Sequence, residues 1–245
     1  MRLLPLLSAA SAVTLWASSA SAVVVLGNGT GALLGNDLTD RGNDGNELIY
    51  NPPVTLGGFD GVFFASNEAG FSGGSLGGGE FAFNVFDNLV GSGDAKWCCG
   101  ATPGTSGVGD EAPQIVGVNL NANRLLTHFT VTSSNDTPGR DPRIWTMEGS
   151  NDGILWDVIF SQNDASASLW GTDASSRNRV LLFTQGVDYP VQTQTYQQFR
   201  MVTTQTGLGT GAFFALNEIE LFAPEPSRAL LLGLGLAGMF LRRRR

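Results

Sequence analysis

The side chains with chemical potential fall into a few separate groups. Asp87 and Asp94 share one Gly-rich loop, where hard carboxylate oxygens and main-chain carbonyls could wrap a divalent cation. The alternative is an Asp/Gly loop capped by its own side-chain hydrogen bonds. Trp170 stands in the polar stretch SASLWGTDASSRNR, with Asp173, Arg177 and Asn178 close behind it. An exposed ring edged by groups that hydrogen-bond hydroxyls is the chemistry of sugar binding, so these four form the candidate ligand site. The competing arrangement is a loop tryptophan folded back on the body. Cys98 and Cys99 are adjacent. Adjacent Cα atoms lie about 3.8 Å apart, closer than most disulfides allow, so the pair is a strained vicinal disulfide, two thiols, or bridges to another chain.

Catalytic and phosphate-binding patterns are weak. The one histidine, His128, lies in LLTHFTV and reads as a structural residue; no GxSxG elbow accompanies it. Carboxylate spacing is uninformative in a chain with 22 acidic residues. Gly77-Gly78-Gly79 lacks the Lys-Ser/Thr of a phosphate loop. Two cysteines and one histidine make a zinc site improbable.

Short strands separated by turn clusters must position these groups. Val23–Leu26, Leu48–Tyr50, Gly61–Ser66, Gln114–Leu120, Leu125–Thr132, Ile144–Glu148, Ile154–Phe160, Val180–Thr184, Tyr196–Thr203 and Phe213–Phe222 read as strands. The turn Gly149–Gly153, with Asn151-Asp152-Gly153, predicts a hairpin whose apolar face carries Trp145, Met147, Leu155, Val158 and Phe160. Trp156 is expected to join the core. The flexible stretch Ser72–Gly79 is a candidate boundary. Strands at roughly ten-residue intervals, with no repeat of fixed period, predict an all-β sandwich or jelly roll.

Both ends read as targeting segments. Arg2, the apolar stretch Leu3–Trp16 and Ala20-Ser21-Ala22 form a signal peptide, with cleavage by signal peptidase expected before Val23. At the other end, Pro224-Glu225-Pro226 precedes an apolar run, Ala229–Leu241, and then Arg242, Arg243, Arg244 and Arg245. Its 13 apolar residues make roughly 20 Å of helix, short of the ~30 Å hydrocarbon core of a bilayer. Between the two segments lie eight basic and 21 acidic residues, a net charge of −13 over Val23–Phe222. That surface repels nucleic acid and favours divalent cations.

The tail resembles the PEP-CTERM sorting signal of Gram-negative bacteria. The resemblance implies transient insertion in the inner membrane and processing by an exosortase. It also implies release to the cell surface or extracellular matrix. The segments FNVFDNLVGSGDAKW (83–97), RDPRIWTMEGSNDGILW (140–156), YQQFRMVTT (196–204) and ALNEIELF (215–222) resemble, in order, the discoidin-like domain of the coagulation-factor type. That resemblance implies a galactose-binding-like jelly-roll β-sandwich with a structural calcium in its N-terminal loop. Glu218 corresponds to an acidic position of the family, which completes a metal set of Asp87, Asp94 and Glu218. Ala95 stands where the family often has Thr, so one ligand is lost or replaced by Asp94.

The expected organisation is a signal peptide (1–22), N-terminal strands and Gly-rich loops belonging to the sandwich (23–79), a discoidin-like β-sandwich (80–222) and a sorting signal (223–245). The expected function is a non-catalytic module binding extracellular polysaccharide, with no nucleic acid partner. The alternatives are a secreted hydrolase acting on that matrix or a purely structural matrix component.

Overall fold

In the computed structural model, residues 23–39, 61–66, 80, 82–91, 95–98, 113–164, 168–207 and 214–224 are described. Strands β1 (Val24–Asn28), β2 (Gly61–Ala65), β3 (Trp97–Cys98), β4 (Gln114–Arg124) and β5 (His128–Ser133) come first. They are followed by β6 (Pro142–Ser150), β7 (Asp157–Gln162), β8 (Arg179–Thr184), β9 (Tyr196–Thr206) and β10 (Ala215–Phe222). Two five-stranded sheets result, β1-β8-β5-β10-β3 and β2-β4-β9-β6-β7, called A and B below. Every neighbouring pair is antiparallel.

Alternation decides which side chains meet between the sheets, because successive Cβ atoms point to opposite faces. Sheet A turns Phe129, Val131, Leu181, Phe183, Ile219 and Leu221 inward. Sheet B answers with Val116, Val118, Trp145, Met147, Phe199 and Met201. Phe129 stacks on Phe183 with centroids 4.9 Å apart, and Trp145 meets Phe183 edge-on at 5.4 Å, which joins the sheets. Each such side chain contributes about 1.5–3 kcal/mol by leaving water. This is the all-β sandwich that the strand spacing predicts.

The N-terminal strands belong to both sheets: β1 lies along β8 and β2 along β4. The predicted strand Leu48–Tyr50, Asp94, Cys99, residues 1–22 and residues 225–245 lie outside the described residues. Among the described residues no helix is long and apolar enough to cross a membrane.

The hairpin prediction needs correction. Gly153 takes φ 71° as the turn requires, and Trp145 and Met147 are buried. Leu155 is 76 % exposed and Val158 58 %, however, so neither belongs to the core face. Asp152 Oδ1 accepts from the backbone N–H groups of Ile154 and Leu155, each at 2.8 Å. Those bonds prolong the loop, and the strand starts only at Asp157. Trp156 also misses the core: it folds onto the outer face of sheet B, with the Arg200 guanidinium 3.9 Å from its ring centroid.

Candidate functional sites on the two outer faces

On sheet A the residues between the core positions of β10 are Glu218 and Glu220, which face Thr132 and Thr130 of β5 in register. They point away from the core, yet both are fully buried. The cover comes from the N-terminal segment and the 3-10 turn Ala82–Phe86, which packs on β10. Where pairing with β3 ends at Ala215 and Leu216, this segment takes over the strand edge: Leu38 N–H donates to Leu221 C=O at 2.7 Å, and Leu221 N–H donates to Asp37 at 2.8 Å. Glu220 accepts from Thr130 Oγ1 and the Gly35 N–H, both at 2.6 Å.

Glu218 differs. Neither of its buried oxygens has a hydrogen bond of standard geometry. Burial pushes its carboxyl well above the usual range, and the charges of Asp87, Asp37 and Glu220 push further; the Asn88 backbone N–H only partly offsets this. The fold therefore brings Asp87 and Glu218 together across a long stretch of chain, as the predicted metal set requires, while Asp94 lies outside the described residues. Among the described residues, no three His, Cys, Asp or Glu side chains converge as metal ligands. The donor chemistry nonetheless suits calcium, which takes carboxylates together with main-chain carbonyls. Two buried oxygens lacking a donor are what a hard cation would satisfy.

The predicted sugar site does not form an open platform. Trp170 has no exposed surface; its Nε1–H donates to Val131 C=O at 3.2 Å, and its own carbonyl accepts from Arg179 at 2.6 Å. Arg177 forks onto Asp141 with bonds of 2.8 and 2.7 Å. Burial raises the Asp141 carboxyl to about 6 even against Arg177. Asn178, at φ 56°, accepts from Asn217 at 2.8 Å through Oδ1. Asp173 alone is exposed, and Ser175 holds its carboxyl low by donating at 2.6 Å. Burying a large indole outweighs leaving it as a surface platform, and the polar neighbours fasten the loop that carries it. Cys98 is disulfide-bonded.

Sheet B presents what sequence reasoning missed. One register row crosses all five strands: Phe64 of β2 pairs with Gly117, Gly117 with Arg200, Arg200 with Glu148, and Glu148 with Val158. Arg200 bonds Glu148 at 2.7 Å, and Thr146 Oγ1 donates to the other Glu148 oxygen at 2.7 Å. Gly117 is required here, since a Cβ would stand 2.4 Å from the Phe64 ring and 2.5 Å from the Phe199 carbonyl oxygen. Phe64, Trp156, Arg200, Gln198 and Ser66 line a groove of about 300 Å³. The local signal for it was Trp156 directly after the turn; the register of Phe64, Gly117 and Arg200 had none.

His128 opens β5 and stacks on Phe222 with centroids 4.4 Å apart. Its Nδ1 lies 3.1 Å from Thr127 Oγ1. Among the described residues it touches no serine or carboxylate by hydrogen bond.

No family profile and no curated protein matches the chain. Among solved structures it is similar to a family 32 carbohydrate-binding module of a Clostridium perfringens GH89 protein, crystallised with GalNAc-β-1,3-galactose. That similarity has a TM-score of 0.46 and 15 % identity, over 67 % of this chain and 96 % of that one. It is also similar to the family 32 module of C. perfringens NanJ in complex with galactose, at TM-score 0.44 and 16 % identity, over 66 % and 93 %. A chitosan-binding module from a Paenibacillus sp. IK-5 chitosanase/glucanase gives TM-score 0.41 and 19 % identity, over 67 % and 96 %.

Proposed function

We propose that this chain is an exported, non-catalytic module that binds polysaccharide in an extracellular matrix. The observation that carries the reading is the open groove on sheet B. Phe64 and Trp156 give apolar ring surface for the C–H face of a sugar, while Gln198, Ser66 and the remaining Arg200 N–H groups suit its hydroxyls. Strands hold Phe64, Gln198 and Arg200, and Trp156 is fastened by its Nε1–H to the Gly153 carbonyl, so little ordering is left for binding to cost. The acidic surface between the targeting segments argues against nucleic acid as the partner.

In this reading signal peptidase removes 1–22. The tail inserts transiently in the inner membrane of a Gram-negative cell until an exosortase processes it near Pro224, Glu225 and Pro226. Calcium is structural: Glu218, Asp87 and Asp94, with main-chain carbonyls, would hold it. When bound, the ion supplies positive charge that relieves carboxylate repulsion and ties the loop to β10.

The decisive experiment is a glycan array and polysaccharide pull-down with the exported protein. Retention of a glycan that falls about tenfold in Trp156→Ala is expected, as is loss of a stacking contact worth about 1–2 kcal/mol. An empty array, or retention indifferent to Trp156→Ala, would overturn the reading. The intact mass of protein recovered from cells checks both cleavages, with a mature chain starting at Val23.

A further inference from the structure

A second cavity lies away from the sheet B groove. It opens between the N-terminal segment Leu34–Leu38, the β4–β5 link and the end of β10, with a volume of about 700 Å³. Ligand pockets commonly span roughly 300–1,000 Å³, so one or two sugar rings fit. Arg124, His128, Phe222, Leu34, Asp37 and Pro224 are among its lining residues.

Arg124 stands out by its lack of partners. Lys96, Arg140, Arg177 and Arg200 form ion pairs, Arg179 bonds main-chain carbonyls, and Arg143 is engaged. Among the described residues the Arg124 side chain has no hydrogen bond and no ion pair. Asp37 also lines the cavity; its carboxylate accepts from the Leu221 N–H and from the Thr39 N–H and hydroxyl and is not ion-paired with Arg124. A half-buried arginine at a cavity wall without an ion pair can take an anion, and its fork fits a carboxylate with two parallel bonds.

His128 supplies the complementary group. Thr127 Oγ1 lies 3.1 Å from both Phe222 C=O and His128 Nδ1, and with its one proton on Phe222 C=O it accepts from Nδ1. In that arrangement Nδ1 carries the hydrogen, and Nε2 is left as an acceptor for a hydroxyl. Burial lowers the imidazole's proton affinity, which keeps the ring neutral at neutral pH. The Phe222 ring, stacked on His128, and Leu34 add apolar surface.

We propose that this cavity is a subsite for a uronic acid residue, with Arg124 clamping the sugar carboxylate and His128 Nε2 accepting from a ring hydroxyl. The assignment rests on the reading of the protein as a carbohydrate binder and names an acidic class of glycan for a site separate from the sheet B groove.

The test is calorimetric titration of the exported protein with trigalacturonate and, in parallel, with a neutral galactose trisaccharide. Trigalacturonate is expected to bind, and Arg124→Gln to weaken it about tenfold or more with an unchanged melting midpoint. Arg124→Lys should give an intermediate loss, since an ammonium keeps the charge without the fork. His128→Phe, which preserves the stack on Phe222, should cost a few-fold. Absence of trigalacturonate binding, binding unaffected by Arg124→Gln, or binding lost in Trp156→Ala instead would overturn the subsite. Neutral binding that Trp156→Ala abolishes and Arg124→Gln leaves intact would show the broader function standing whatever happens to the subsite.

Discussion

The two outer faces of this sandwich have opposite fates. On sheet A the outward residues of β10 are acids, and the chain folds back to bury them beneath Leu34–Thr39 and the turn Ala82–Phe86. On sheet B the outward row holds Phe64, Gly117, Arg200 and Glu148, and nothing among the described residues covers Trp156 completely. The difference teaches that exposure does not follow polarity here. Carboxylates are buried where a cation could balance them, and aromatic rings stay open where a ligand could use them. The first face gathers carboxylates whose repulsion is relieved by protonation or would be by a bound cation; the second balances its charge internally through the Arg200–Glu148 pair.

Four outcomes would break or sharpen that contrast. The largest concerns the two tryptophans. Trp170→Ala empties a fully buried site and should cost about 3–5 kcal/mol in unfolding free energy, read by denaturant melts. Trp156→Ala should cost under about 1 kcal/mol and act on glycan retention instead. Equal destabilisation by the two would abolish the distinction between covered and open faces.

Calcium comes next. With free calcium at about 100 times its dissociation constant, stabilisation of about 2.7 kcal/mol is expected, roughly 5–10 °C in midpoint. Chelator should remove it, and Glu218→Gln should make the midpoint insensitive to both. A midpoint that never responds to calcium would leave the buried acids as a purely structural cluster.

A somewhat smaller effect follows from pH in the presence of chelator. The folded carboxyls of Glu218 and Asp141 are both raised, Asp141 to about 6 from an ordinary 3.8. A raised acid contributes stability fully below its unfolded value, and that contribution disappears as pH rises through the folded value. The metal-free protein should therefore melt higher at pH 5 than at pH 8, with Asp141 alone accounting for about 1–1.5 kcal/mol across that window. His128, whose proton affinity burial lowers, subtracts from that difference as pH falls through 6.5, whereas Asp136 and Asp152, which are lowered, oppose it only under more acidic conditions. A higher midpoint at pH 8 would argue that the buried acids are charged and partnered without metal.

The smallest stability change is expected from Arg200→Gln. It removes a partly exposed pair worth about 0–1 kcal/mol, but it should cut glycan retention by freeing Glu148 beside the groove. Retention unchanged in that variant would shift the binding surface away from the register row.

Most of the strands were legible, because period-two alternation is local. Gln114–Leu120 and Tyr196–Thr203 fall within β4 and β9, and Gly153 takes the turn conformation that its place after Asn-Asp suggests. The hairpin arm at Ile154–Trp156 failed for an equally local reason: Asp152 captures two backbone N–H groups and delays the strand. Trp170 takes the second of its two readings, folded back on the body, while Trp156 stays outside the core expected to hold it. Each follows a polar or turn-rich stretch, so composition could not separate them; the Val131 carbonyl and the Arg200 guanidinium did.

The sequence by itself determined that the chain makes an all-β body of alternating strands and that Asp87 sits in a turn-prone acidic loop. The tertiary structure alone decided that Glu218 is buried beneath the N-terminal segment, that Gly117 leaves room for Phe64 beside Arg200, and that Arg124 faces a cavity with no ion pair among the described residues. The physical reason is range. Side-chain alternation depends on neighbours one or two residues away, whereas register between strands and the burial of a charge depend on segments that meet only when the two sheets close.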